Sequence, residues 1–135
     1  MIKYTVQHIK DFKKSKTVFS ALTAYDFYTA QILDDAEIPL ILVGDSASMT
    51  VYGYDTTVPV TMDEMLLVVK AVTRGVKQSL VVADMPFLSY QPSVEETIKN
   101  AGILMKKGGA NAVKLEGGEH VKKNIHALVQ SGIPV

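Results

Sequence analysis

The sequence contains PLILVG at residues 39–44, an apolar run that is closed by Asp45. Three further short apolar runs occur along the chain, namely VFSALTA (18–24), LVVA (80–83) and NAVKLE (111–116). Strands that are apolar along their whole length are typical of parallel sheets covered on both faces. Because longer amphipathic segments separate these runs, the sequence predicts an α/β fold built from repeated β/α units.

Helices are predicted between these strands, and one more is predicted before the first strand. Thr61 and Ser93 each precede an acidic residue by three positions, which is the signature of an N-terminal capping box. The predicted helices cover residues 4–14, 27–37, 62–76, 94–109 and 119–132.

The predicted elements form four β/α units, and IPV at residues 133–135 has the pattern of a fifth strand. Two architectures accommodate this order. One is an open, doubly wound sheet that is complete at this length. The other is about the first half of a (βα)8 barrel, whose full form needs about 250 residues. The pattern of elements alone leaves both open.

Composition excludes several classes of protein. The 135 residues carry fourteen Lys and Arg against fourteen Asp and Glu, so no basic surface for nucleic acid is expected. The absence of cysteine excludes disulfides and thiolate metal sites. The first residues lack the apolar core of a signal peptide, and no uncharged stretch approaches the ~20 residues that span a bilayer. We therefore expect a cytoplasmic protein with a small-molecule partner and no membrane contact.

Three acidic residues stand at the ends of predicted strands. Asp45, Asp84 and Glu116 close three successive runs. Because ligands bind at the carboxyl ends of parallel strands, we expect these side chains to face one site. Grouped carboxylates repel one another unless a cation or protons intervene, and hard oxygen ligands favour Mg²⁺. Each acid taken alone is more typical of a helix cap or a solvated loop than of a metal site, and only the three together favour the metal site.

Lys114 and Ser46 accompany these acids. Lys114 lies two positions before Glu116, so both side chains leave the same face of the strand. A buried lysine is costly without a partner, which is either a nearby acid or a substrate carboxylate. Ser46 offers a hydroxyl to a substrate oxygen or caps a turn. The long connection at 47–60 is interpreted either as a lid over the site or as a packed surface excursion.

Four segments resemble the ketopantoate hydroxymethyltransferase family, and the similarity runs from about residue 5 to the end of the chain. This resemblance implies a (βα)8 TIM barrel, with residues 1–135 as one partial barrel domain, in a cytoplasmic homo-oligomer that is often a decamer. The segments are TAYD (23–26), LVGDSASMTVYGYDTTVPVT (42–61), ADMPFLSY (83–90) and GGANAVKLEGG (108–118).

The resemblance also implies an activity. Family members transfer a hydroxymethyl group from 5,10-methylenetetrahydrofolate to 3-methyl-2-oxobutanoate, giving ketopantoate for pantothenate and coenzyme A. By this resemblance Asp45, Asp84 and Glu116 bind Mg²⁺, and Asp45, Ser46, Asp84 and Lys114 hold the 2-oxoacid. The general base of the family is expected beyond Val135, so no catalytic residue is assigned.

The short length leads to further expectations and to alternatives. The chain alone is expected to be inactive and to need a C-terminal half barrel. A receiver-type signalling domain is one alternative, with Asp84 as phosphoacceptor, but only Asp26 stands where that design wants an acidic pair. A non-catalytic half-barrel fragment for binding or assembly is another alternative, and a different Mg²⁺-dependent barrel acting on oxoacids is a third.

Overall fold

The structure is a computed structural model that describes residues 3–135. It contains one sheet of four parallel strands. The strands are β1 (Ala21–Thr23), β2 (Leu40–Val43), β3 (Leu80–Asp84) and β4 (Ala112–Lys114). The helices are α1 (Val6–Ser15), α2 (Phe27–Asp35), α3 (Ala47–Thr50), α4 (Met62–Gly75), α5 (Val94–Lys106) and α6 (Lys122–Gln130), and a 3₁₀ turn, Glu119–Val121, precedes α6.

The strand order in the sheet is β1-β2-β3-β4, which is also the order along the chain. A doubly wound sheet reverses direction at a switch point, as in the 2-1-3-4-5 order of receiver domains. The described sheet has no such reversal, so the doubly wound and receiver alternatives are wrong. An unbroken sequential order is the order of strands in a (βα)8 barrel.

The helices that follow the strands pack side by side against one face of the sheet. Helix α2 contacts α4, α4 contacts α5, and α5 contacts α6. The strand residues on this face are fully buried and form the core with apolar residues of the helices. They are Ile41, Val43, Val81, Ala83 and Val113. Burying each such side chain contributes about 1.5–3 kcal/mol relative to leaving it exposed.

The opposite face of the sheet is covered mainly at the amino ends of its strands. There Val6 and Ile9 of α1 line a cavity together with Leu40 and Leu80. The amide of Tyr4, next to α1, donates to the carbonyl of Gln78 at 2.7 Å. Helix α1 therefore caps the end of the sheet that is remote from the carboxyl ends of the strands.

Several element bounds differ from the sequence-based prediction. Strand β1 is three residues long instead of seven, and it pairs only with β2. The helix predicted for 94–109 ends at Lys106, and Gly109 follows with a φ of +83°, a conformation that favours glycine. The helix predicted for 119–132 begins with the 3₁₀ turn.

Strand β4 is three residues long and lies within the predicted 111–116, whereas the other bounds lie closer to the predicted ones. Helix α1 begins two residues later and ends one residue later than the predicted 4–14. Residues 133–135 are not assigned as a strand, but the amide of Val113 donates to the carbonyl of Pro134 at 3.0 Å. This bond places the segment beside β4, where a fifth strand is expected. In the described part of the chain, each helix is too short or too polar to cross a membrane.

One carboxylate is buried at the amino end of β3. Asp34, only 2% exposed, accepts hydrogen bonds from the amides of Lys77, Gln78 and Ser79 at 2.7–3.0 Å, and from the Ser79 hydroxyl at 2.7 Å. Burial raises the pKa of Asp34, but these hydrogen bonds outweigh burial and leave its pKa below the ordinary value. Asp34 thus joins the end of α2 to the start of β3.

Candidate functional site

The carboxyl ends of β3 and β4 bring Asp84 and Lys114 into direct contact. The two residues are partners in the register of the parallel strands, so their side chains leave the same face of the sheet at the same height. The Lys114 Nζ lies 2.6 Å from Oδ1 of Asp84. The Asp84 side chain is 6% exposed and the Lys114 side chain 40%, so the lysine remains reachable from solvent.

The end of β2 supplies the second partner of Asp84. The amide of Asp45 donates to Oδ2 of Asp84 at 3.1 Å, so both carboxylate oxygens of Asp84 are engaged. Gly44 permits this close approach. A Cβ atom at Gly44 would lie 2.7 Å from the Ser46 Oγ and 3.6 Å from Oδ2 of Asp84.

Ser46 is held by a residue from the end of β1. The hydroxyl oxygens of Ser46 and Tyr25 are 2.7 Å apart, within hydrogen-bond distance. Ser46 precedes α3, and its side chain makes no capping hydrogen bond to that helix. Ser46 thus occupies the N-cap position of α3 without a side-chain cap, and the partner of its hydroxyl is Tyr25.

Glu116 lies at the edge of this group. Its Oε1 is 3.7 Å from the Lys114 Nζ, and its side chain is 72% exposed. The backbone of Glu116 is bound by Tyr90, whose hydroxyl donates to the Glu116 carbonyl at 3.0 Å and accepts from the Glu116 amide at 3.2 Å. Lys114 therefore stands between the carboxylates of Asp84 and Glu116.

The charges of these residues act on one another. Burial raises the pKa of Asp45, and the negative charges of Asp84 and Glu116 raise it further. Burial lowers the pKa of Lys114, but the hydrogen bond and charge of Asp84, helped by Glu116 and Asp45, outweigh burial and raise its pKa. The lysine is thus held in its charged form, whereas ionised Asp45 is disfavoured.

The oxygen atoms present are suited to a hard divalent cation. An ionised carboxylate has about four lone-pair positions, so Asp84 retains acceptor capacity beyond its two hydrogen bonds. Burial, and after it the negative charges of Asp84 and Glu116, raise the pKa of Asp45, and a cation would relieve the repulsion between these charges. Across residues 3–135, however, no three His, Cys, Asp or Glu side chains form a ready metal-binding group. The Mg²⁺ site at Asp45, Asp84 and Glu116 stays a prediction.

The connection between β2 and α4 is packed against the helix that follows it. The hydroxyl of Tyr52 donates to the carbonyl of Glu64 at 2.9 Å, and that of Tyr54 donates to Oε1 of Glu64 at 2.8 Å. The Ser48 hydroxyl donates to the Thr56 carbonyl at 2.7 Å. These contacts favour the packed excursion over the lid.

Sequence reasoning found Asp84, Lys114, Asp45 and Ser46 but missed the tyrosines that hold them. Tyr25 and Tyr90 lie in segments that carry the family resemblance, TAYD (23–26) and ADMPFLSY (83–90). Tyr25 lies two residues after β1, whereas Tyr90 lies six residues after β3. That position was a usable signal for Tyr25. For Tyr90 no signal existed, because its partner Glu116 lies 26 positions away.

Solved structures of other proteins share this fold. The structure of phosphonopyruvate hydrolase matches 95% of this chain and 48% of its own, with a TM-score of 0.77 and 16% identity. That of 2,3-dimethylmalate lyase, a PEP mutase/isocitrate lyase superfamily member, matches 98% and 51%, with a TM-score of 0.69 and 11% identity. The chain therefore has the fold of about half of a (βα)8 barrel.

Sequence similarity identifies the family of this chain, which the fold alone does not. The chain belongs to the ketopantoate hydroxymethyltransferase family, whose model matches residues 3–135. One relative, the 3-methyl-2-oxobutanoate hydroxymethyltransferase of Saccharopolyspora erythraea, is 54% identical over 129 residues, which are 96% of this chain and 44% of the relative. The chain thus spans less than half the length of that relative.

Proposed function

We propose that the full-length protein containing this chain transfers a hydroxymethyl group from 5,10-methylenetetrahydrofolate to 3-methyl-2-oxobutanoate and so makes ketopantoate, a precursor of pantothenate and coenzyme A. The observation that carries this proposal is the 2.6 Å pair of Lys114 and Asp84 at adjoining strand ends. It lies in a chain whose residues 3–135 match the family model.

Lys114 binds the carboxylate of the 2-oxoacid. An ammonium group has three donors, and the contact with Asp84 uses one of them. Its raised pKa keeps the group charged, and its partial exposure leaves it accessible to a small anion. The positive charge offsets part of the cost of moving an anion out of water.

Ser46 orients the same substrate through its hydroxyl. The Tyr25 hydroxyl, 2.7 Å away, limits the directions in which Ser46 can donate. Gly44 keeps the space between Ser46 and Asp84 free of a side chain. Asp45 and Asp84 complete the substrate site from the ends of β2 and β3.

Asp45, Asp84 and Glu116 would hold a Mg²⁺ ion. When bound, the ion supplies Lewis-acid stabilisation of the negative charge that develops on the oxoacid. The carboxylates of this chain would fix the position of the ion, and Lys114 keeps the Asp84 side chain in place. Besides burial, repulsion from Asp84 and Glu116 raises the pKa of Asp45, and binding of Mg²⁺ would relieve this repulsion.

The full-length protein completes the site from its remaining part. No residue of this chain is assigned as the acceptor of the C3 proton of the oxoacid. The chain spans 44% of the Saccharopolyspora erythraea relative, and the other half of the barrel provides the missing strands. We propose that the complete protein is cytoplasmic and forms a homo-oligomer.

Ketopantoate formation by the full-length protein and by residues 1–135 alone tests this function. We expect Mg²⁺-dependent formation by the full-length protein with 3-methyl-2-oxobutanoate and 5,10-methylenetetrahydrofolate. The short chain is expected to form none, because half of the barrel and the proton acceptor are missing.

Two controls complete this test. In the first control the folate is omitted, and exchange of the C3 proton of the oxoacid with deuterated water is measured. In the second control a chelator removes the divalent cation. Full activity of the chelated protein would contradict the role of Mg²⁺. Turnover by the short chain would contradict the need for the second half of the barrel.

A further inference from the structure

The backbone of Glu116 lies beyond the hydrogen-bonded part of the sheet. The last register pair between β3 and β4 joins Asp84 to Lys114. The amide of Met85 donates to the Lys114 carbonyl at 2.9 Å, which is the last sheet-like bond on this side. Since the Glu116 side chain is 72% exposed, contacts with neighbouring side chains do little to fix it.

Tyr90 takes the place of a neighbouring strand at Glu116. A residue inside a sheet donates through its amide and accepts through its carbonyl. At Glu116 both bonds are made to the single hydroxyl of Tyr90, at 3.2 Å and 3.0 Å. The phenol group therefore satisfies the two backbone groups that the end of the ladder leaves unpaired.

Tyr90 is itself fixed by a buried polar network. It is 4% exposed, and its carbonyl accepts from the Asn124 side chain at 2.8 Å. The Thr97 hydroxyl lies 2.9 Å from the same carbonyl and shares its proton with the Ser93 carbonyl at 2.7 Å. Asn124 also donates to the Thr97 oxygen at 2.7 Å. Because Thr97 lies in α5 and Asn124 in α6, the position of Tyr90 is set by two helices of the barrel wall.

From these contacts we infer that Tyr90 is a positioning residue for the metal site, acting through the backbone of Glu116. This inference rests on the proposed function, in which Glu116 is a Mg²⁺ ligand. By fixing the backbone, Tyr90 limits the positions that the exposed carboxylate reaches and keeps it beside Lys114, 3.7 Å away. A fixed ligand loses less conformational freedom when the metal binds.

Titration of the metal-free, full-length protein with Mg²⁺ in a calorimeter tests this role. Tyr90→Phe retains the ring but removes the hydroxyl, and we expect about a tenfold weaker affinity for Mg²⁺. Tyr52→Phe is the matched control, since the Tyr52 hydroxyl also donates to a backbone carbonyl, that of Glu64. This control is expected to bind Mg²⁺ like the wild type.

A double-mutant cycle separates positioning from general loosening of the structure. In a Glu116→Ala background, Tyr90→Phe is expected to cause no further loss of affinity, because the ligand through which it acts is absent. An equal loss in both backgrounds, an unchanged affinity of Tyr90→Phe, or an equal loss in Tyr52→Phe would overturn the inference.

Two further results remain decisive. If the wild type itself binds no Mg²⁺, the metal site of the proposed function is refuted, and the role of Tyr90 with it. If Tyr90→Phe does not fold, amide hydrogen exchange of the wild-type protein tests the bond between Tyr90 and the backbone of Glu116. Slow exchange at Glu116 relative to Gly118 supports the bond to Tyr90, and equally fast exchange contradicts it.

Discussion

The pKa values of two aspartates at opposite ends of the sheet are shifted in opposite directions. At the amino end of β3, Asp34 receives four hydrogen bonds from three consecutive residues, and its pKa lies below the ordinary value. At the carboxyl end of β2, Asp45 is partly buried near Asp84 and Glu116, and its pKa is raised. One carboxylate is stabilised in its charged form, and the other is destabilised.

This difference separates a residue that stabilises the fold from one that serves the site. The hydrogen bonds of Asp34 lie wholly within the chain and leave nothing for a ligand. The environment of Asp45 disfavours its ionised form, which is the expected cost of placing a carboxylate where the proposed function requires a cation ligand. In barrels of this kind the amino ends of the strands serve stability and the carboxyl ends serve function.

The largest effect is expected from Lys114→Met at the functional end. This substitution keeps an unbranched side chain one atom shorter but removes the charge beside Asp84. We expect kcat/KM of the full-length protein for 3-methyl-2-oxobutanoate to fall by about 10²–10³-fold, because a preorganised charge at the substrate is lost. Steady-state kinetics measure this fall, and circular dichroism checks that the variant is folded.

Lys99→Met is the matched control for this variant, since Lys99 is an exposed residue of α5. Its kinetics are expected to equal those of the wild type. A folded Lys114→Met protein with kcat/KM within a few-fold of the wild type would show that the pair with Asp84 is only structural.

The next effect concerns stability and comes from Asp34→Asn. The asparagine side chain has one acceptor oxygen, whereas Asp34 accepts hydrogen bonds through both of its oxygens. Its NH₂ group would face a backbone N–H, so at least one of the present hydrogen bonds would be lost. We expect the free energy of unfolding of the full-length protein to fall by about 2 kcal/mol, with the kinetics of the folded protein unchanged. Urea denaturation measures this loss, and Asp35→Asn, at an exposed neighbouring position, is the control.

The same variant has an expected pH dependence. Because the pKa of Asp34 is lower in the folded than in the unfolded protein, its contribution is complete above the ordinary value of about 3.9. The contribution is lost as the pH falls through the folded-state pKa. The wild type should therefore lose its advantage over Asp34→Asn in acid, and a constant difference would contradict this origin.

The smallest effect has the opposite sign. Asp45→Asn removes a charge whose folded-state pKa is raised, so in the absence of Mg²⁺ we expect the variant to be more stable at neutral pH, by about 0.5 kcal/mol. The raised pKa means that this difference shrinks as the pH falls through the folded-state value, where the wild-type carboxyl takes up a proton. Thermal unfolding in a chelating buffer measures the difference.

Addition of Mg²⁺ provides the control for Asp45→Asn. A bound ion stabilises the wild type by mass action, so the order of stability should reverse. A less stable Asp45→Asn protein in the chelating buffer would contradict the statement that the charged form of Asp45 is destabilised in the folded protein.

The sequence allowed much of the site to be predicted, namely the residues on the strands or within three positions of their carboxyl ends. Asp84 and Lys114 each end a recognisable apolar run, and parallel strands bring such ends together. Asp34 gave no comparable signal, because the amides that bind it lie more than forty positions away in the chain. Tyr90 escaped prediction for the same reason, since the register between a loop and a strand end is a tertiary property.

The amino-acid sequence by itself determined the four β/α units and the polar residues at their ends. Alternation of apolar runs with amphipathic segments, and the side-chain period of a strand, are local properties that the residues alone express. Tertiary structure alone decided that the sheet has the strand order of a barrel and that Lys114 pairs mainly with Asp84. Both depend on which strand lies beside which, and packing of the helices on a common face selects that arrangement only when the chain is folded.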